Sequence, residues 1–212
     1  GYNHPYVLAN KDRLTRAAIN KPTNSDIYSP LMADFVVTMG RVAQPDYLPY
    51  SFYVSGGTLA VENALKTAFD WKVRHNIAKG KGEKGSQVLH LKQCFHGRSG
   101  YAMSITDSPD PRKVQYYPKF DWPRVTNPYM IFPMNEENSA GVDAQEEQSL
   151  NEIKQAIQNN PDDIACPFME PIQGEGGDIH FRYEYLVKSK NISLEMSFIH
   201  IILCRCLCIS YS

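Results

Sequence analysis

Three short segments concentrate residue types that can do chemistry. In SGGT (55–58), Gly56 and Gly57 free the backbone to approach a guest closely, and Thr58 offers a hydroxyl and a helix cap. A helix starting there leaves backbone N–H groups unpaired at its positive end, which suits an anion, and a phosphate above all. CFHGRSG (94–100) sets two flat rings, Phe95 and His96, beside Arg98, whose planar fork matches a carboxylate. EPIQGEGG (170–177) carries Glu170 directly after an apolar run and Glu175 among glycines. Each segment alone has an ordinary explanation: a ligand-free turn, a core aromatic, a surface ion pair, a turn carboxylate facing water. Their joint placement is what points to a site.

The elements that must position them follow from periodicity. Ala60/Val61, Ala64/Leu65, Ala68/Phe69 and Val73 recur at helical spacing and predict a helix from about Thr58 to Asn76. Tyr50–Val54 before it reads as a strand, and QVLHLK (87–92) alternates in the strand period. GKGEKG (80–85) is a solvated loop, so strand, helix and strand come in the order of a parallel crossover. Tyr129–Phe132 is a further short apolar run, Ala144–Asn159 places Leu150, Ile153 and Ile157 on one helical face, and IACPFM (164–169) reads as a buried strand. Helical patterns over 11–20 and 25–39 precede all of this, with Leu31, Phe35 and Met39 four residues apart. The fold class expected is α/β, a mostly parallel sheet with flanking helices and a small helical N-terminal segment. The three chemical segments then fall at the carboxyl ends of strands, where ligands gather in such sheets.

Composition narrows the guest. The 212 residues are 42% hydrophobic and 21% charged, ordinary globular values, and the formal net charge of −1 gives no reason to expect nucleic acid as a partner. No apolar run approaches the roughly 20 residues of a membrane span and no secretory leader opens the chain, so a soluble, cytoplasmic protein is expected. A mitochondrial one is the alternative, because residue 1 is Gly and not Met. Five cysteines, with Cys204, Cys206 and Cys208 crowded at one end, do not make a disulfide framework. Neither they nor the six histidines fall at metal-ligand spacing, so metal catalysis is not expected. GKGEKGS lacks the Gly-Lys-Ser/Thr of a P-loop, and SGGTLAVE lacks the G-x-G-x-x-G spacing of a dinucleotide turn. A phosphate bound without either signature suggests a phosphorylated cofactor held by its tail.

SGGTLAVENALK (55–66), FHGRSGY (95–101), PKFDWPR (118–124) and EPIQGEGGD (170–178), with NKPTNSDIYSP (20–30), together resemble the class III pyridoxal-phosphate aminotransferases, and within them the subgroup acting on lysine. The similarity runs from about Gly1 to Arg182. It implies a fold type I large domain with pyridoxal 5'-phosphate as cofactor. It also implies residue roles: Gly57 and Thr58 on the cofactor phosphate, Phe95 on its ring, His96 beside it and Glu170 supporting its surroundings. Arg98 takes the substrate carboxylate, and Glu175 is a movable gate. The implied reaction transfers the ε-amino group of L-lysine to 2-oxoglutarate, with ornithine or 4-aminobutyrate as alternative donors. The partners implied are a small amino donor and a 2-oxo acid, with a homodimer in the full-length family, no nucleic acid and no membrane.

The chain is read in three parts: an N-terminal helical segment (1–49), a partial cofactor-binding domain (50–182) and an aberrant tail (183–212). In the tail, YEYLVKSKNISLEMSFIHIILCRCLCISYS departs from the family pattern, and both ends of the family's chain are expected to be missing. The family's Schiff-base lysine has no visible counterpart: Lys188 and Lys190 follow Glu175 too closely, and Lys66 sits inside the helix of the phosphate site. An inactive chain is therefore expected, or one that only binds a complete subunit.

Overall fold

The structure, a computed structural model, describes residues 2–20, 27–195, 200–203 and 207–210. The chain divides into two units, Gly1–Ser51 and Phe52–Ser212. The first holds α1 (Pro5–Ala9), α2 (Lys11–Ile19) and α3 (Pro30–Val42). Pro30 opens α3 where a missing N–H costs nothing, and Ser29 Oγ caps it by accepting from Met32 N at 3.2 Å. No residue of these helices is buried, and the part of the expected helix and family motif over 21–26 lies outside the described residues.

The second unit is a layered α/β structure. Its helices are α4 (Gly57–Ala78), α5 (Gly100–Ser104), α6 (Glu136–Asn159) and α7 (Tyr183–Glu195). Its strands are β1 (Gln87–Leu91), β2 (Arg124–Val125), β3 (Ile164–Met169), β4 (Ile172–Gln173), β5 (Ile179–His180), β6 (His200–Leu203) and β7 (Leu207–Ser210). The main sheet runs β2-β1-β3-β6-β7, parallel except for the last pair, with Val88 opposite Cys166 and His90 opposite Phe168. β1 and β3 read as nearly unbroken apolar runs because helices cover both of their faces. On one face Val61, Ala64, Leu65 and Ala68 of α4 pack with Val88, Cys166 and Phe168. On the other, Ile153 and Ile157 of α6 and Tyr185 of α7 pack with Leu89, Leu91 and Met169.

One expectation is corrected. Tyr50–Val54 forms no strand: β1 already has β2 and β3 as neighbours, and an alternating segment without a partner strand stays extended loop. The apolar run Tyr129–Phe132 is loop, and the edge strand beside β1 is β2, two residues long and too short for any pattern to betray. From Tyr183 the chain forms α7, whose Tyr185 is wholly buried and shares a 2.8 Å hydrogen bond with Ser149. No helix among the described residues is long and apolar enough to cross a membrane.

The ends of β1 and β3 remote from the chemical segments are tied by side chains. Asn76 Nδ2 donates to Lys84 O and Asp162 O, both at 2.8 Å, and Asp163 accepts from Gly85 N and Ser86 N at 2.8 and 2.9 Å. This fixes α4 against the sheet, and with it the place where α4 begins.

Candidate active site

The site is built where α4 starts and where β1 and β3 end. Gly56 caps α4 in a positive-φ conformation (φ 93), and the first intrahelical bond runs from Ala60 N to Gly56 O at 3.1 Å. The amides of Gly57, Thr58 and Leu59 therefore precede the helical ladder and are available to an anion. Thr58 does not cap the helix, contrary to expectation; it is the second helical residue, and the glycine takes the cap because φ is positive there. Nothing lies within 4 Å of where a Cβ on Gly56 or Gly57 would be, so the space in front of these amides is open.

The loop after β1 is pressed onto that helix start. Gly97 has φ 132, and a Cβ there would lie 2.6 Å from Thr58 Oγ1 and 2.7 Å from its Cγ2. Thr106 holds the loop by accepting from His96 N at 3.0 Å and donating to Gly97 O at 2.8 Å. Glu62, one turn beyond Thr58, secures the next stretch by accepting from Ser99 Oγ at 2.6 Å and Ala102 N at 3.0 Å.

Beyond β3, Ile172–Gln173 and Ile179–His180 pair as an antiparallel hairpin with Glu175 and the glycines at its tip. Gly176 meets Gln93 O so closely that no side chain would fit. Buried Gln173 donates to Lys92 O at 2.9 Å, and Asn127 Nδ2 bridges Gln93 Oε1 and Gln173 Oε1 at 2.9 and 3.0 Å. Glu170 Oε2 accepts from Phe95 N at 3.0 Å. Burial, opposed by that bond and reinforced by the charge of Glu175, pushes the Glu170 carboxyl up to about 7.

Thr58 thus meets the Gly97 loop, and Phe95 meets Glu170. Glu175 stands on the same side as Phe95, because Lys113 pairs with Glu175 and its Nζ lies 5.9 Å from the Phe95 ring centroid. His96 is 3% exposed, edge-on to Phe168 at 4.7 Å between centroids, with neither ring nitrogen hydrogen bonded among the described residues. Burial drops its pKa to about 3, so it is neutral. Arg98 is exposed and makes no hydrogen bond or ion pair among the described residues, which leaves its fork available. Lys66, Lys188 and Lys190 are all exposed. Among the described residues no group of His, Cys, Asp or Glu clusters as a metal site.

Sequence patterns missed several members. Glu62 was readable, lying four residues after Thr58 on the same helical face. Thr106, Asn127, Gln173 and Lys113 sit in no motif and reach the site only through tertiary contacts.

The arrangement fits a phosphorylated, ring-bearing cofactor on three counts: open amides at the start of α4, a half-buried aromatic beside them in the next loop, and two buried ring nitrogens of His96 awaiting partners. The family model described as aminotransferase class-III matches residues 1–202, which takes in α7 as well as the site. L-lysine-epsilon aminotransferase of Mycobacterium tuberculosis is 48% identical over 196 residues, covering 91% of this chain and 43% of that protein. The protein of the same name from Amycolatopsis lactamdurans is 48% identical over 173 residues, 82% of this chain and 38% of its own. Lysine aminotransferase from M. tuberculosis, solved in its internal aldimine form, superposes with a TM-score of 0.89 at 47% identity, covering 95% of this chain and 46% of the other. The chain therefore spans less than half the length of the relatives it matches.

Proposed function

Because the chain belongs to the class-III aminotransferases, fold type I proteins that work with pyridoxal phosphate, we propose that it is part of a protein transferring the ε-amino group of L-lysine to 2-oxoglutarate. The observation that carries this reading is the meeting of the three segments, Gly97 on Thr58, Gly176 on Gln93 and Phe95 on Glu170. When bound, the cofactor supplies an electron sink for the carbon whose proton is moved. The chain's residues do the rest. The Gly57 and Thr58 amides hold the phosphate at the positive end of α4. Phe95 lies against the cofactor ring, and neutral His96 offers it a hydrogen bond. Glu170 braces the Phe95 backbone, fixing the ring that the cofactor rests on. Arg98 receives the carboxylate of the amino donor in a two-pronged contact. Glu175, on the tip of a short hairpin, is the carboxylate that must suit both the donor and the acceptor.

The 212 residues by themselves are proposed to be inactive. Lys66, Lys188 and Lys190 are surface residues, and Lys113, the lysine over Phe95, is engaged by Glu175. Mixing this chain with pyridoxal phosphate is expected to give no turnover and no new absorbance. The whole protein is proposed to be a homodimer in which a chain of this kind needs the remainder of the family fold.

A chimera tests the substrate reading: residues 1–202 replace the matching segment of the M. tuberculosis lysine enzyme, and glutamate formed from 2-oxoglutarate is measured with L-lysine, L-ornithine and 4-aminobutyrate. Lysine is expected to be the best donor. Preference for either of the others, or a chimera that folds and turns over none of them, refutes the assignment.

A further inference from the structure

Lys113 has no part in the function just described, yet it stands inside the site. It ends the short 3-10 turn Pro111–Lys113, capped by Asp110, whose carboxylate accepts from Arg112 N at 3.2 Å. Arg112 is itself engaged by Asp110, through Nε at 2.8 Å and Nη2 at 3.0 Å. Lys113 is thus the cation that reaches Glu175 among the described residues, and it shares Glu175 Oε1 with Ser108 Oγ, which donates at 3.1 Å. Ser108 is set in place by Asp110 N, which donates to it at 3.1 Å. The other oxygen of the same carboxylate, Oε2, is buried without a partner among the described residues. Lys113 Nζ, 5.9 Å from the centre of the Phe95 ring, is within reach of a cation–π contact.

We infer that Lys113 is a positioning residue for Glu175: with Ser108 it holds Oε1, leaving the buried Oε2 to a ligand's donor, and it supplies the charge that lets two carboxylates stand beside Phe95. This deepens the proposed function and rests on it for the role of Glu175. Among the described residues, the charged groups set against Glu175 are Glu170 from the end of β3 and Lys113 from the 3-10 turn. Of these, Glu170 is already held up by burial and by Glu175.

The test is the carboxyl carbon NMR spectrum of the full chain labelled in its glutamates, with the Glu175 signal assigned through Glu175→Gln. Lys113→Met is expected to move that signal toward that of free glutamate, and Lys113→Arg to keep it near its wild-type position. A Lys113→Met signal that matches wild type overturns the inference. Ser108→Ala keeps the charge and is expected to move the signal part of the way; an unmoved signal overturns the two-point hold, and this arm decides should Lys113→Met not fold. The spectrum needs neither cofactor nor turnover. An inactive chimera with a shifted signal therefore sinks the substrate reading alone, and an active chimera with an unshifted signal sinks this inference alone.

Discussion

Replacing Gly97 by alanine tests the joint between the start of α4 and the loop that carries Phe95 and Arg98. Gly97 has φ 132, a region almost reserved for glycine, and placing an L-residue there costs about 1–3 kcal/mol. The new methyl would stand 2.6 Å from Thr58 Oγ1, 2.7 Å from Cγ2 and 3.0 Å from Cβ. Thr58 is β-branched and stiff about χ1, and it sits in the first turn of a 22-residue helix, so it cannot turn aside without moving that turn. Overpacking of this kind adds about 1–3 kcal/mol. The expected loss is therefore about 2–6 kcal/mol out of a typical total of about 5–15. Urea unfolding followed by tryptophan fluorescence reads it, since Trp71 and Trp122 both pack against the α4 face of the core. The double variant Thr58→Ala, Gly97→Ala separates the two costs. It removes Oγ1 and Cγ2 and should recover the steric share while leaving the backbone share. A Gly97→Ala loss below about 1 kcal/mol, or no recovery in the double variant, would refute the claim that this contact forces glycine.

Further outcomes follow from the same geometry. Tyr185→Phe removes the hydroxyl bonded to Ser149, which still donates to Thr126 O at 2.6 Å, so it should cost only about 1 kcal/mol. Tyr185→Ala should cost about 3–5 kcal/mol in the same urea experiment, and a near-zero value would mean that α7 is not part of the core. Arg98→Ala should leave stability within about 0.5 kcal/mol while weakening lysine use by the chimera about tenfold or more, the scale of a lost charged hydrogen bond. Glu170 contributes a pH slope. Burial raises its folded pKa to about 7 from an ordinary 4.5, so the folded chain keeps a proton that the unfolded chain releases, and stability falls as pH rises from about 4.5 through about 7. Glu170→Gln should flatten that part of the stability profile measured by urea midpoints across pH, and an unchanged slope would show that Glu170 is not buried as described.

The elements legible in the sequence are those whose signal is local. The stripe through Val61, Leu65 and Ala68 marks α4 because a helix writes its buried face into a short repeat, and 164–169 marks β3 because a strand covered on both sides must be apolar throughout. Tyr50–Val54 carries the same kind of local signal and forms no strand, since a strand is a property of a pair and β1 has both of its neighbours elsewhere. After Arg182 the composition gives no such signal, and α7 joins the core through contacts distant in sequence: Tyr185 shares a cluster with Met169 and bonds Ser149, and Leu186 and Ile192 pack against the same cluster. The site divides along the same line. SGGT, FHGRSG and EGGD announce that backbone must turn or be approached, which is why their glycines could be singled out. What approaches them is fixed only when β1 and β3 pair: Thr58 beside Gly97, and the carbonyl of Gln93 beside Gly176. Lys113 is the limiting case, because it lies 62 residues from Glu175 in a loop with no motif, and nothing about a lysine after an arginine and a proline distinguishes it from a solvated charge. A glycine can thus be marked by its own type, but the partner of a charge is set by the sheet, so the charge balance around Phe95 had to be learned from the fold.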